Sequence, residues 1–150
     1  MQESRPFLVH GQWKSGERLA PVVDPFTGKL VAQVTQATES DVDEAIASTC
    51  SAAATMGQLP AHARYNILQQ IAALLYRRRD EVAQTITAEA GKPITDAKRE
   101  VSRAIQTFTV AAEEARRIPG EVVPLDWTPG FDTHLGMLRR FPIGPILGIT

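Results

Sequence analysis

The run Phe141-Pro142-Ile143-Gly144-Pro145-Ile146-Leu147-Gly148-Ile149-Thr150 carries no charge and almost no polar side-chain atom. A short, unbroken apolar run bounded by Pro and Gly reads as a strand buried on both faces, the environment of a parallel sheet covered by helices. The residues before it supply several amphipathic helices suited to that covering. The fold class expected is therefore α/β. In open α/β sheets, ligands bind beyond the carboxyl ends of the strands. Ile149 and Thr150 thus mark the edge of a candidate site.

Composition narrows the function classes. The 150 residues are 43% hydrophobic and 22% charged, ordinary values for a globular protein, and enough to bury a core. A net charge of −1 gives no global field favouring nucleic acid or an anionic membrane. The single cysteine, Cys50, rules out an internal disulfide framework and fits a reducing compartment. No apolar run reaches the roughly 18 residues of a membrane span, and Met1-Gln2-Glu3-Ser4-Arg5 lacks the layout of a signal peptide. A cytoplasmic location is the expectation.

The first third of the chain reads as short extended pieces. Phe7 to Trp13 is expected to form a strand closing in a turn at Gly11, and Pro21 to Pro25 is held extended by its prolines. Phe26-Thr27-Gly28-Lys29 reads as a turn before a strand over Leu30 to Thr35. The connections are too short for crossovers, so the pairing is expected to be antiparallel. His10, alone beside a glycine turn, reads as a surface or turn residue.

Four helices follow. Thr38 with Asp41, and Ser40 with Asp43, are N-cap signatures for a first helix, ended by Gly57 and Pro60. Cys50 lies in this helix among alanines, with no base or cation near it in sequence, and reads as a packing residue rather than a nucleophile. The second helix, Pro60 to Arg78, carries the stripe Ile67, Leu68, Ile71, Leu74 and Leu75. Its end, Arg77-Arg78-Arg79, reads as a solvated helix terminus, since no aromatics interleave and Asp80-Glu81 follows. A third helix near Asp80 to Ala90 stops at Gly91, and Pro93 suits the first turn of a long fourth helix.

That fourth helix has a clean stripe through Ile94, Ala97, Val101, Ile105, Phe108 and Ala112, with no charge from Ala104 to Ala112 on any face. So bare a middle is expected to be covered on two sides. Arg103 stands at the edge of the bare zone, off the main stripe, where an arginine needs an anionic partner. On spacing alone, a structural salt bridge with Glu100 and a ligand-binding role both stay open. Beyond Pro119-Gly120, the segments Glu121 to Leu125 and Leu135 to Arg140 flank a turn-rich loop and read as a projecting hairpin, an edge that commonly pairs with another chain. No zinc-type Cys/His spacing, phosphate-loop motif or Gly-x-Gly-x-x-Gly fingerprint is present.

The ordered series Asp24-Pro25-x-Thr27-Gly28-Lys29, Asp41-Val42-Asp43-x-Ala45, Glu89-x-Gly91-Lys92-Pro93, Ala112-Glu113-Glu114-Ala115 and Arg140-x-Pro142-x-Gly144-x-Ile146-x-Gly148-Ile149 resembles the N-terminal part of the aldehyde dehydrogenase superfamily. The resemblance is nearest to lactaldehyde and non-phosphorylating glyceraldehyde-3-phosphate dehydrogenase-like members. It implies NAD- or NADP-dependent oxidation of a small-molecule aldehyde to an acid or thioester through a cysteine thiohemiacetal. It also implies a Rossmann-like cofactor domain, a separate catalytic domain and a homodimer or homotetramer built on an oligomerisation hairpin, with no nucleic-acid or membrane partner. In those terms residues 1–120 are the first strands and helices of the cofactor domain, 121–140 start the oligomerisation hairpin, and 141–150 form the first buried strand of the cofactor sheet.

Ile149 and Thr150 then match the strand end that lies against the cofactor. The catalytic cysteine, general-base glutamate and oxyanion-hole asparagine belong to later parts of such chains. Cys50 does not match the nucleophile, so no catalytic residue is assigned and these residues alone are expected to be inactive. Glu89 and the carbonyls near Val22-Val23 match positions that hold an alkali cation in some members. The pattern Glu100-Val101-x-Arg103 resembles subfamilies in which an arginine faces the substrate tunnel and holds a phosphate or carboxylate. A non-catalytic oligomerisation or scaffold piece, and a helical binding module using Arg77-Arg78-Arg79, are the alternative readings.

Overall fold

The computed structural model describes residues 4–149. Its elements run β1 (Ser4–Arg5), β2 (Phe7–Val9), β3 (Gln12–Lys14), β4 (Leu19–Val23), β5 (Leu30–Thr35), α1 (Glu39–Gln58), α2 (Ala61–Arg77), α3 (Arg79–Ala90), α4 (Ile94–Arg116), β6 (Glu121–Pro124) and β7 (Leu135–Leu138). The class is mixed α/β, with three small sheets around a helical layer.

The expected strand over Phe7 to Trp13 is two strands folded back on each other. β2 and β3 pair antiparallel through Phe7–Lys14, Leu8–Trp13 and Val9–Gln12. The hinge is His10-Gly11, both with positive φ (52° and 73°), which is what a two-residue turn between twisted strands requires. The exposed His10 stands in the turn, its Nδ1 2.8 Å from the Ser48 hydroxyl of α1. β4 and β5 pair antiparallel as the short connection dictates, and β1 adds to β5 in parallel. Asp24 closes the β4–β5 turn by accepting from the backbone N–H groups of Phe26 and Thr27, which holds its carboxyl below the usual range.

The first helix starts where its cap signature says. Thr38 accepts from the Asp41 N–H, and the Asp41 carboxylate accepts from the Thr38 N–H, a complete capping box. Lys14 reaches across from β3 to Asp41 and Glu44, tying the hairpin to the first turns of α1. α3 ends at Gly91 in the left-handed region, φ 65°, where a side chain is strained. A Cβ there would also stand 2.7 Å from Pro25 Cγ, so the same glycine lets the end of α3 close on the residue after the β4–Asp24 bend. Pro93 sits at the cap of α4 rather than inside its first turn.

The core lies where α3 and α4 meet. Ala83 and Ala97 are fully buried, Val101 nearly so, with Val82, Ile86 and Ile105 packed around them. α4 also lies along α2, burying Ala72 and Ala112. Small residues at these contacts let helix axes approach closely, so burial here is by backbone proximity more than by large side chains.

Three segments expected to be covered are exposed among the described residues. Residues 141–149 form no strand, and Phe141, Ile143, Ile146, Leu147 and Ile149 are all exposed. A strand needs a neighbour for its N–H and C=O groups, and none of the described residues supplies one for this segment. The charge-free middle of α4 is covered on one face only: Gln106, Thr107 and Val110 are exposed. Finally, Cys50 is exposed, as are Val42 and Ile46 on the same helix, because the packing of α1 against β2 and Lys14 leaves most of its apolar stripe open.

The capping box makes a pH prediction. The Thr38 hydroxyl, then the Thr38 N–H, hold the Asp41 carboxyl below its ordinary value. A carboxyl depressed in the folded state stabilises above its unfolded pKa, about 4, and loses that contribution as pH falls through the lowered folded value. Asp41→Asn is therefore expected to destabilise the protein at neutral pH, with the difference from wild type shrinking steadily below about pH 4 in urea unfolding series. A difference independent of pH would show that the carboxylate form of Asp41 does not matter.

Candidate functional site

The outer face of α4 is built by spacing. Asp96 stands three and four residues before Arg99 and Glu100, and these stand four and three before Arg103, so the four share a side of the helix. Lys92 and Pro93, from the turn after Gly91, complete the rim of an open cavity of about 560 Å³ lined by these six residues.

The charges in this cavity are unequal in their partners. Lys92 donates to Glu100, and this contact, chief among its neighbours, holds the Glu100 carboxyl below the usual range. Arg103 adds a smaller electrostatic pull on the same carboxylate. Arg99 pairs with Asp96 at 3.3 Å. Both carboxylates of the cavity are thus matched with other cations. Among the described residues Arg103 makes no ion pair within 4 Å, and it is exposed where it lines the cavity. The Glu100–Arg103 bridge that spacing allows is not the one formed, because Lys92 takes Glu100 first.

The other residues singled out from sequence are not gathered here. Ile149 is 87% exposed and lies outside any strand, and Thr150 falls outside the described residues. A second open cavity, about 330 Å³, lies between the C-terminal half of α1 and Pro142, Gly144 and Pro145, with Met56 and Arg64 on its walls. Residues 142–149 therefore present bare apolar surface on one side of the molecule. Val23 and Glu89 are both exposed, and although Gly91 packs on Pro25, no group of three His, Cys, Asp or Glu among the described residues is arranged to hold a metal ion. In the basic run, Arg78 pairs with Glu81 and Arg79 with Asp80, while Arg79 also covers the Tyr76 ring at 4.7 Å. No helix of the described residues is long and apolar enough to cross a membrane.

Sequence reasoning picked Arg103 and missed its surroundings. The Lys92–Glu100 pair spans eight residues across a turn, and no local helical spacing reveals it. A half-buried Arg64, which donates to the carbonyls of Leu59 and Ala115, was also not singled out; a lone arginine in an amphipathic helix gives no signal.

An α/β unit with this order of hairpins and helices, and an unpaired arginine on its long helix, is a recognisable class. Residues 13–150 match the aldehyde dehydrogenase family, and the chain belongs to that family. Over 142 residues it is 34% identical to 3-sulfolactaldehyde dehydrogenase of Priestia aryabhattai, an alignment that takes in 95% of this chain and 29% of that protein. The crystal structure of aldehyde dehydrogenase 21 from Physcomitrella patens, in complex with the reaction product succinate, superposes with a TM-score of 0.87 at 38% identity, covering 91% of this chain and 29% of that one. Lactaldehyde dehydrogenase from Escherichia coli gives a TM-score of 0.79 at 29% identity, covering 87% and 28%. The chain thus spans less than a third of the length of the relatives it matches. Other solved structures of the same fold are NAD-dependent, and one is described as NADP-dependent.

Cys50 has no assigned role in this arrangement, and its exposure makes a prediction. Cys50→Ala is expected to change unfolding stability by no more than about 0.5 kcal/mol, as surface substitutions usually do. The native thiol should react with a maleimide as fast as in urea. Protection of the native thiol would mean that α1 is covered in solution.

Proposed function

We propose that this chain is the N-terminal part of the cofactor-binding half of an NAD- or NADP-dependent aldehyde dehydrogenase that oxidises a small anionic aldehyde to its acid. Residues 1–120 are its first strands and helices, 121–140 the start of an oligomerisation hairpin, and 141–150 a strand that becomes buried when paired with further strands of the sheet. The nucleophilic cysteine, general base and oxyanion donor lie outside these 150 residues on this reading. NAD or NADP supplies the hydride acceptor. Ile149 and Thr150 contribute an apolar flank near its adenosine side. The protein is proposed to work in the cytoplasm as a homodimer or homotetramer.

One observation carries the substrate class: Arg103 is the cation of its cavity whose charge no carboxylate among the described residues matches. An arginine left this way is disposed to take an anion from outside, and its planar fork grips a carboxylate, phosphate or sulfonate with two parallel hydrogen bonds. Support comes from the relatives, since sulfolactaldehyde carries a sulfonate and succinate a carboxylate at the end remote from the reacting carbon. The exposed Gln106, Thr107 and Val110, next along α4, extend the same wall.

A charge-assisted contact of this kind contributes about 1.5–3 kcal/mol. Arg103→Leu in the complete enzyme is therefore expected to lower kcat/KM for an anionic aldehyde by about tenfold to a hundredfold, while a neutral aldehyde of similar size is turned over almost as before. Equal losses on both substrates would make Arg103 a structural residue and remove the basis for an anionic substrate.

A further inference from the structure

A second cluster of arginines lies away from Arg103, where the end of α4 meets the base of the β6–β7 hairpin. Arg64 from α2, Arg116 at the last turn of α4, and Arg139 and Arg140 after β7 line one cavity of about 230 Å³, floored by Ile118 and Gly120. No carboxylate lines it. Arg116 has a partner outside the cavity, Glu113, and stacks over the Tyr65 ring at 4.0 Å. Arg64 is held by two carbonyls, Leu59 and Ala115, which fix its direction without cancelling its charge. Arg139 lies over the Phe141 ring. Among the described residues none of Arg64, Arg139 and Arg140 makes an ion pair within 4 Å.

Three unpaired arginines beside the paired Arg116 repel one another in one small cavity, and the α4 carbonyl end offsets only part of that. Glu121, on the hairpin side of Arg139 and Arg140, lies in the neighbouring cleft and makes no pair with them. We propose that this cavity is a binding site for a multivalent oxyanion, a phosphate group on a small molecule, gripped chiefly by Arg139 and Arg140 with Arg64 and Arg116 completing the charge. Guanidinium forks match the oxygen geometry of phosphate, whereas a monovalent halide leaves most of the excess charge unanswered. The site joins the hairpin to the helical layer, so occupancy stiffens that junction. It does not depend on the reading of Arg103.

The test uses inorganic phosphate as the probe. Phosphate titrated into the protein is expected to raise its unfolding temperature saturably by about 2–6 °C, as a ligand bound only to the folded state does. Sodium chloride at equal ionic strength is expected to give less than a quarter of that rise. Arg139→Gln/Arg140→Gln is expected to abolish the phosphate increment. Should that variant fail to fold, Arg139→Lys/Arg140→Lys keeps the charge but not the forks, and its midpoint for phosphate should rise at least tenfold. A chloride effect equal to that of phosphate, or a phosphate midpoint unchanged in the folded double variants, would overturn the proposal.

Discussion

The close contact of α3 and α4 through Ala83, Ala97 and Val101 is the interaction on which the rest of the structure depends. All three are buried, Ala83 and Ala97 completely, and none is large. Each buried methyl contributes on the order of 1 kcal/mol at most, so the contact is stable only while the two helices stay close. Gly91 makes that possible. Its left-handed backbone turns the chain sharply between the helices, and its missing side chain admits Pro25. The outer face of α4, with Arg103, is aimed by this packing: what α3 covers on one side fixes what faces outward on the other.

Much of the local structure was legible in the sequence because its causes are local. The capping box at Thr38 and Asp41, the glycine stop at Gly91 and the turn residues of the β6–β7 hairpin act within a few positions, and the elements begin and end there. His10-Gly11 was read as a turn closing a single strand, and the two consecutive residues with positive φ make it the middle of a hairpin. The two-residue span of β2–His10-Gly11–β3 leaves little periodicity to detect.

Burial was the part that sequence alone could not supply. Apolar composition says that a segment is stable when covered, and it does not say by what. Phe141 to Ile149, the open stripe of α1 with Cys50, and the far side of α4 all have the composition of covered surface and are exposed in these 150 residues. None of the described residues covers them, in a chain that spans less than a third of its relatives' length. The candidate site shows the same division. Arg103 was found from charge spacing along one helix, whereas the Lys92–Glu100 pairing that isolates it depends on how the chain re-enters α4.

The central claim, that Arg103 holds the anionic end of a substrate, is most directly met by a crystal structure of the complete enzyme with NAD and a dicarboxylic or sulfonated product. The account predicts the anionic group in bidentate contact with the Arg103 guanidinium, at about 2.7–3.2 Å from nitrogen to oxygen. A product bound at the nucleophile with its anionic end held by other residues, and Arg103 paired to a carboxylate of the protein, would contradict it.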